Sequence, residues 1–170
     1  MKIAKIYENL MFSVFEKNIK INNKTSKLYL IKKRAVVVIL PILNNKKIIL
    51  EKQYRLPADK VLYEIPAGNM EDKETPIVAA RRELKEETGY TAKSIKKVYE
   101  FYSSPGIFNE VMHFFVATGL TPGKTHFDED EDIKLEVVSF QKAVKMLKEG
   151  KIKDAKTIIA ILYLHSLLKK

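Results

Sequence analysis

The sequence predicts an α+β fold, an α/β/α sandwich in which a mixed β-sheet lies between helices. Three observations predict it: strand-like apolar runs come first, one helical pattern follows them, and after further strands two helical patterns end the chain. With 170 residues, no repeat and no Ser/Gly-rich linker, the sequence 1–170 is expected to form one domain. Within it we expect an N-terminal β segment at 1–34 and a core at 35–170.

Strands are predicted where β-branched and aromatic residues form short runs between turn residues. These runs lie at 3–15, 28–31, 35–42, 48–54, 61–65, 95–102, 111–118 and 135–138. The run at 35–42 is apolar enough to be a buried strand. Asn44-Asn45 is expected to turn the chain, and Pro66-Ala67-Gly68 is expected to end the strand at 61–65.

Three helices are predicted from apolar spacing and capping residues. The first spans 75–88, with Ile77, Ala80 and Leu84 facing the core opposite a carboxylate face, and Gly89 as a left-handed C-cap. The second starts at a Ser139 cap and stops before Gly150. The third starts at an Asp154 cap and runs to about residue 168. Its predicted core face carries Ile158, Ile159, Leu162 and Leu167.

The segment 68–90 places several carboxylates around the pair Arg81-Arg82. Glu83 and Glu87 are one helical turn apart and therefore share a face. Two carboxylates at that spacing repel each other unless a cation lies between them, and Mg²⁺ prefers oxygen ligands. The spacing predicts a magnesium site, and the alternative is a solvated acidic helix face.

The order of residues in this segment favours the metal site. It reads G-x5-E-x7-R-E-U-x-E-E-x-G-U, where U is a bulky apolar residue. The defined positions hold Gly68, Glu74, Arg82, Glu83, Leu84, Glu86, Glu87 and Gly89, and the last apolar position holds Tyr90. This order resembles the Nudix box, the signature of hydrolases that cleave a nucleoside diphosphate linked to another moiety. The resemblance implies the Nudix fold, a mixed sheet between helices.

The resemblance also implies a role for each box residue. Glu83 and Glu87 would be metal ligands, with Glu86 as a further ligand or a close neighbour of the metal. The backbone carbonyl of Ala67 would complete the set. Arg82 and Glu86 are expected to be catalytic residues. Arg82 would pair with a box carboxylate such as Glu74 and hold the loop. The ion would be Mg²⁺, with Mn²⁺ as the alternative.

A second acidic cluster is the run at 128–132. Taken alone, such a run is usually a solvated segment. In the ADP-ribose pyrophosphatases, which the chain resembles, a glutamate-bearing loop at this point supplies a catalytic base. By that resemblance Glu129 would be the general base for the attacking water and Glu131 a metal ligand.

Residues outside the box resemble the same ADP-ribose pyrophosphatase branch. Pro105 lies sixteen positions after Gly89, within Ser-Ser-Pro-Gly, and the alternative is an ordinary turn between strands. The fork-shaped cation of Arg55 suits pyrophosphate oxygens, and its alternative is a salt bridge to Glu64. The residues expected to bind substrate are Arg55, Glu64, Pro105, Gly106 and Glu110.

Composition limits the remaining classes. The chain has no cysteine, which excludes disulfides, thiolate nucleophiles and cysteine-ligated zinc. No apolar run approaches the roughly 20 residues that span a bilayer, so a cytoplasmic location without membrane contact is expected. The net charge of +10 comes from scattered lysines, so a nucleic-acid partner is not expected. The resembling enzymes are homodimers, which implies a homodimer through the N-terminal strands.

These observations predict a Mg²⁺-dependent hydrolase that converts ADP-ribose and water to AMP and ribose 5-phosphate. One alternative is a hydrolase of another nucleotide sugar, such as GDP-mannose. Two alternatives from other classes are a non-catalytic ADP-ribose sensor and a basic nucleic-acid-binding protein. The complete box argues against the sensor, because a module that does not cut its ligand would be expected to lose box carboxylates.

Overall fold

The computed structural model describes residues 3–125 and 132–168 of the chain. Its strands are β1 (Ile3–Glu8), β2 (Ser13–Ile21), β3 (Lys24–Lys32), β4 (Val36–Leu43), β5 (Lys47–Arg55), β6 (Lys60–Glu64), β7 (Ala67–Asn69), β8 (Thr91–Tyr102), β9 (Val111–Thr121) and β10 (Ile133–Ser139). Its helices are α1 (Pro76–Thr88), α2 (Phe140–Lys148) and α3 (Ala155–Leu168).

A seven-stranded mixed sheet forms the centre of the fold, in the order β10-β5-β4-β9-β8. Two strands lie off this path, because β6 pairs with β5 and β7 pairs with β4. β4 and β9 run parallel, whereas the other pairs of this sheet are antiparallel. The predicted α+β class with a mixed sheet is confirmed.

β4 is buried on both faces, which explains its apolar sequence. Val37 and Ile39 face α1 and pack with Leu84 in one core. The alternate residues of β4 face α2 and α3, where they form the second core. Those residues are Val36, Val38 and Leu40. The sheet therefore lies between α1 on one side and α2 with α3 on the other, as the sequence predicts.

The first three strands form a separate antiparallel sheet, β1-β2-β3. The prediction of one strand at 3–15 is wrong, because the Oδ1 atom of Asn9 accepts hydrogen bonds from the N–H groups of Met11 and Phe12 and turns the chain there. β2 and β3 are joined at Asn22-Asn23, whose φ angles of 48° and 62° match a tight hairpin turn.

α1 has nearly the predicted limits but a different buried face. α1 buries a row of residues spaced four apart, which are Ala79, Glu83 and Glu87. This row lies beside a second buried row that contains Leu84. The two glutamates therefore belong to the buried side instead of lying opposite it. Ile77 falls at the margin of this arc and is 36% exposed, so its prediction as a core residue is wrong.

α3 also buries a different set of residues from the one predicted. Its cap is confirmed, because Asp154 Oδ2 accepts a hydrogen bond from the Thr157 N–H at 2.9 Å. Leu162 and Leu167 are 53% and 48% exposed, and their assignment to the core is wrong. The buried residues of α3 are Thr157, Ala160, Ile161 and Leu164. α3 is apolar around most of its circumference, so apolar spacing alone does not select its inner face.

β7 forms just after the point where the sequence predicts a strand end. β6 does stop at Glu64, but after Pro66 the chain returns to extended structure and pairs with β4, with Gly68 opposite Val37. This short strand carries the backbone of Ala67 and Gly68 to the side of α1. Across residues 3–125 and 132–168, the helices lack the combination of length and hydropathy that a bilayer-spanning segment requires.

Candidate active site

β7 brings Gly68 directly against Glu83 of α1. A Cβ atom at Gly68 would lie 2.0 Å from both Cδ and Oε1 of Glu83, and 2.3 Å from Oε2. The Glu83 carboxylate therefore lies on bare backbone, and any larger residue at position 68 would displace it. Glu83 is 8% exposed, so packing fixes where its charge sits.

Glu87 is held by the residue beside Gly68. Its Oε2 atom accepts a hydrogen bond from the Ala67 N–H at 2.9 Å, and the side chain is buried. The N–H and C=O of one strand residue point to the same edge of the strand. The Ala67 carbonyl therefore leaves β7 on the side of Glu87. The predicted ligands Ala67, Glu83 and Glu87 thus line one cleft.

Arg82 connects α1 to the loop before it. Its Nε and Nη2 atoms donate to the two Glu74 oxygens at 3.1 and 3.0 Å, and Nη2 also donates to the Asn69 carbonyl. Its Nη1 atom donates to Glu83 at 2.7 Å and to Glu86 at 2.9 Å. The hydrogen bonds from Arg82 lower the pKa of Glu74, and those to Glu74 are the chief reason that the pKa of Arg82 is raised. Arg82 therefore positions the loop and offsets the charge of three box carboxylates, Glu74, Glu83 and Glu86.

On the other side of the cleft, two cations from distant elements share Glu64. Arg55, at the end of β5, donates from Nε and Nη2 to the two Glu64 oxygens at 2.8 and 2.9 Å. Lys156, in the first turn of α3, pairs with Glu64 and with Asp154. Burial alone would raise the pKa of Glu64, but the hydrogen bonds from Arg55 and Lys156 outweigh it and hold that pKa below its usual value. Arg55 is 41% exposed, so it can still contact a ligand.

A third cation reaches the cleft from the chain just after β3. The Lys33 ammonium pairs with Glu110, which is buried, and the Lys33 N–H donates to Asn109 Oδ1 at 2.8 Å. The cleft has two adjoining lobes of about 300 and 240 Å³. The lobes share Arg55, Ala67, Gly68 and Asn69, and Lys33 and Lys156 line the second one. The first lobe thus carries the buried Glu83 and Glu87, together with Arg34 and Arg82, and the second carries Lys33 and Lys156, together with Glu110.

The oxygen atoms on the α1 side fit a hard divalent cation. Glu83 and Glu87 supply carboxylates, and the Ala67 carbonyl leaves the strand on the same side, which are ligand types that Mg²⁺ binds. Within the described ranges, no group of three or more His, Cys, Asp or Glu side chains is arranged to hold a metal ion. Glu86, predicted as a further ligand, is turned to Arg82. Mg²⁺ is usually bound through one or two carboxylates and keeps several waters, so Glu83, Glu87 and a backbone carbonyl are a sufficient contribution from the protein.

Three of the predicted substrate-binding residues meet at the cleft. Arg55 and Glu110 line it, and Glu64 lies behind them in the ion pairs just described. The salt bridge considered as the alternative for Arg55 is present. It does not remove Arg55 from the cleft, because the guanidinium uses Nε and Nη2 for Glu64, and Nη1 makes no hydrogen bond within the described residues.

The other predicted residues are not brought to the cleft. Pro105 and Gly106 are exposed and line neither lobe. They lie in a turn closed by two backbone hydrogen bonds to the Ser104 carbonyl, in agreement with the turn considered as the alternative for this segment. The predicted base Glu129 and the predicted ligand Glu131 lie outside the described residues.

The two cleft lysines, Lys33 and Lys156, are among the lining residues that are absent from the predicted set. Lys33 is one of many lysines in the sequence, and nothing in the local pattern distinguishes it. Lys156 does carry a signal, because a cation in the first turn of a helix opposes the helix dipole. Such a placement indicates a nearby anion, which the fold supplies as Glu64.

Replacing Glu64 with glutamine is expected to lower the free energy of unfolding by about 3 kcal/mol at pH 7, because two cations lose their shared anion in a buried setting. The folded-state pKa of Glu64 is lowered, so its stabilising contribution is present above the ordinary value of 4.5 and is lost as the pH falls below it. Urea unfolding of parent and variant at a series of pH values from 7 down to acid tests this.

Glu136→Gln is the matched control, because Glu136 also pairs with two lysines, Lys52 and Lys142, but at the surface. It should cost less than about 1 kcal/mol. Equal losses for the two variants, or a Glu64→Gln difference that persists unchanged at acid pH, would contradict the role given to Glu64.

Comparisons with known proteins agree with this geometry. The family model described as the NUDIX domain matches residues 32–160. An ADP-ribose pyrophosphatase of Bacillus subtilis is 42% identical over 146 residues, which cover 85% of this chain and 79% of that protein. A GDP-mannose pyrophosphatase of Yersinia enterocolitica is 39% identical, with 74% of this chain and 71% of that protein covered.

Two further proteins are similar to this chain, one in sequence and one in structure. A methanol dehydrogenase activator of Bacillus methanolicus is 40% identical, over 85% of this chain and 79% of that protein. A crystal structure of an ADP compounds hydrolase superposes with a TM-score of 0.84, covering 99% of this chain and 92% of its own at 22% identity. At that identity the superposition supports the fold alone.

Proposed function

Because this chain belongs to the NUDIX domain family and is a Nudix hydrolase, we propose that it hydrolyses the diphosphate bond of ADP-ribose, giving AMP and ribose 5-phosphate. The observation that carries this proposal is the division of the cleft. The buried Glu83 and Glu87 line one lobe, Lys33 and Lys156 line the other, and Arg55 lines both. Hydrolysis of a diphosphate uses both features. Cations bind its anionic oxygens, and a divalent ion held by the carboxylates would neutralise the charge that develops at phosphorus.

The lobe lined by Glu83 and Glu87 would hold a divalent ion, Mg²⁺ by our proposal. Its ligands would be Glu83, Glu87 and the Ala67 carbonyl. When bound, such an ion neutralises phosphoryl charge and lowers the pKa of the attacking water. Arg82 would keep the box loop and α1 in register through Glu74. Glu86, which already contacts Arg82 and is partly exposed, would contribute at the edge of this cluster.

Arg55, Lys33 and Lys156 would bind and orient the diphosphate. Arg55 has a free edge at Nη1 among the described residues, and a planar guanidinium can donate two parallel hydrogen bonds to phosphoryl oxygens. Lys156 and Lys33 would add positive charge on either side. Because Glu64 and Glu110 anchor these cations, little side-chain entropy would be lost when substrate binds.

We propose Glu129 as the general base that removes the proton of the attacking water, and Glu131 as an additional metal ligand. Both residues follow from the resemblance of the acidic run to the glutamate-bearing loop of the ADP-ribose pyrophosphatases. β10 begins at Ile133, shortly after this run in the sequence, and Ile133 pairs with Gln53 of β5, two residues before Arg55. The start of β10 is therefore close to Arg55, which supports the proposal.

ADP-ribose and GDP-mannose should be compared directly, because relatives that act on each are similar to this chain. We expect kcat/KM for ADP-ribose to exceed that for GDP-mannose at least tenfold, a difference of about 1.4 kcal/mol, with each reaction requiring Mg²⁺ or Mn²⁺. Both rates can be measured by releasing phosphate from the product AMP or GMP with a phosphatase and quantifying that phosphate. A reversed preference would replace the proposed substrate by GDP-mannose, and no turnover of either would favour a non-catalytic ADP-ribose-binding role.

We also propose that the chain forms a homodimer through its N-terminal sheet, as part of a single Nudix domain with an N-terminal segment at 1–34 and a core at 35–170. Large apolar side chains are exposed on β1–β3 and the turn between β1 and β2. They are Ile3, Ile6, Tyr7, Leu10, Met11, Ile21, Leu28 and Tyr29. Such a concentration of exposed apolar residues is typical of a protein interface. The cytoplasmic location stays a prediction from the sequence.

The dimer is tested by replacing Leu10 and Met11 with aspartate. Leu10 is fully exposed and Met11 is 71% exposed, so these changes should leave the fold intact and convert a dimer to a monomer in sedimentation velocity. Leu162→Asp, at an exposed leucine of α3, is the control and should not change the mass. A parent protein that sediments as a monomer at every concentration tested would contradict the proposal.

A further inference from the structure

A second cavity, of about 660 Å³, lies between α3 and strands β8 and β9. None of the residues that line it lines either lobe of the cleft. Along β9 it begins at Val116, about 13 Å beyond Met112 of the cleft at the usual rise of a strand. Its volume falls in the range of small-molecule sites. We infer that this cavity is a second ligand site, which binds a nucleoside monophosphate.

The shape of the cavity depends on an irregularity in β8. The register with β9 shifts between Lys97 and Tyr99, so that Val98 is an extra residue. Such a bulge reverses which residues face each side of a sheet. Ser94 and Lys96 face α3 before it, and Tyr99 faces α3 after it. Without the bulge, Tyr99 would point to the opposite face.

Tyr99 uses this placement to meet an aromatic residue of α3. Its ring lies 5.6 Å from that of Tyr163 in an edge-to-face arrangement, and Tyr163 packs in the same way on Phe114. Phe114 is buried and so fixes the Tyr163 ring, while Tyr99 is 55% exposed. Leu164 and Leu167 complete the apolar wall. This wall offers a rigid surface for a planar ring.

The cavity also has polar and cationic lining residues. They are Ser94, Lys96, Lys97 and Thr118. Lys97 pairs with the exposed Glu100 at 2.6 Å, whereas Lys96 forms no ion pair within the described residues. Among the residues that the structure describes, none of those lining the cavity is acidic. A ligand with a planar base, a hydroxylated sugar and one phosphate therefore matches the aromatic wall, the hydroxyl groups and Lys96 in turn.

The inference is tested with AMP, in the absence of divalent metal, by methyl NMR of the whole chain. Leu164 and Leu167 report on the second cavity, and Met112 and Val36 report on the cleft. We expect saturable shifts of the two leucines. Lys96→Glu should weaken that binding about tenfold, since it turns an attraction to phosphate into a repulsion. The same change should not alter the response of the Met112 methyl signal to AMP.

Three comparisons make the result decisive. Lys93→Glu, at an exposed lysine of the same strand that is not among the residues lining the cavity, should have no effect on the leucine shifts, and adenosine should bind several-fold more weakly than AMP. Tyr99→Ala should abolish the leucine shifts. Shifts confined to Met112 and Val36, equal effects of the two lysine variants, or equal binding of adenosine would overturn the inference. So would leucine shifts that follow protein concentration without AMP, because a second copy of the chain would then cover the cavity.

Discussion

Replacing Glu87 with glutamine is expected to lower metal-dependent kcat by roughly a thousandfold, the scale seen when one strong electrostatic contact to a transition state is removed. Glutamine keeps the shape of the side chain and can still accept the hydrogen bond from the Ala67 N–H. It removes the charge that a divalent cation needs. The thermal midpoint should therefore change little, and a steady-state assay across Mg²⁺ concentrations measures the loss.

The control for Glu87→Gln is Glu71→Gln. Glu71 also lines the cleft, but its carboxylate is 68% exposed and lies 3.9 Å from Arg82. Glutamine there should leave kcat within about twofold of the parent, because an exposed pair contributes little. Near-parent activity of Glu87→Gln, or equal losses in both variants, would show that Glu87 is not part of the metal site.

Gly68→Ala is expected to reduce kcat/KM by at least about a hundredfold. The added methyl group would overlap the Glu83 carboxyl atoms at 2.0 Å, so the carboxylate must move away from the cleft or β7 must separate from α1. We expect overpacking to cost about 1–3 kcal/mol of stability. Chemical unfolding and turnover, measured on the same preparation, separate the two effects.

Gly106→Ala is the matched change, because a Cβ atom there meets nothing within 4 Å. Neither glycine has a left-handed φ angle, so the two substitutions differ in available space and not in backbone strain. Gly106→Ala should be close to the parent in both activity and stability. An active Gly68→Ala enzyme would mean that Glu83 does not need the position that the structure gives it.

The sequence predicts the local features of this site well, because they depend on short spacings. Gly89 is left-handed, with φ 73°, and Ser139 Oγ accepts the Lys142 N–H at 3.2 Å, as the capping rules predict. The four-residue step from Glu83 to Glu87 places both carboxylates on one helix face. Each of these outcomes is decided within about one turn of chain.

Features that depend on distant partners could not be predicted in the same way. The buried side of α1 includes Glu83 because β7 supplies a glycine backbone for it, and β7 exists only because β4 pairs with it. Lys156 belongs to the cleft because its ammonium donates a hydrogen bond to Glu64, 92 positions earlier in the sequence. No local pattern encodes such pairs. The motif therefore predicts Glu83 and Glu87 at the cleft, whereas Lys33 and Lys156 could not be predicted from the sequence.

The dependence of Glu64 on α3 has a consequence for the newly made chain. α3 is translated after every other described element, yet it supplies Lys156 to Glu64 and accepts the Ile65 N–H through Thr157 Oγ1 at 2.8 Å. At about 5–20 residues per second, the 92 positions between Glu64 and Lys156 correspond to a delay of roughly 5–18 s. A nascent chain therefore contains Arg55 and Glu64 several seconds before Lys156 and Thr157 can stabilise them, and the cation side of the cleft is complete only when its last helix has docked.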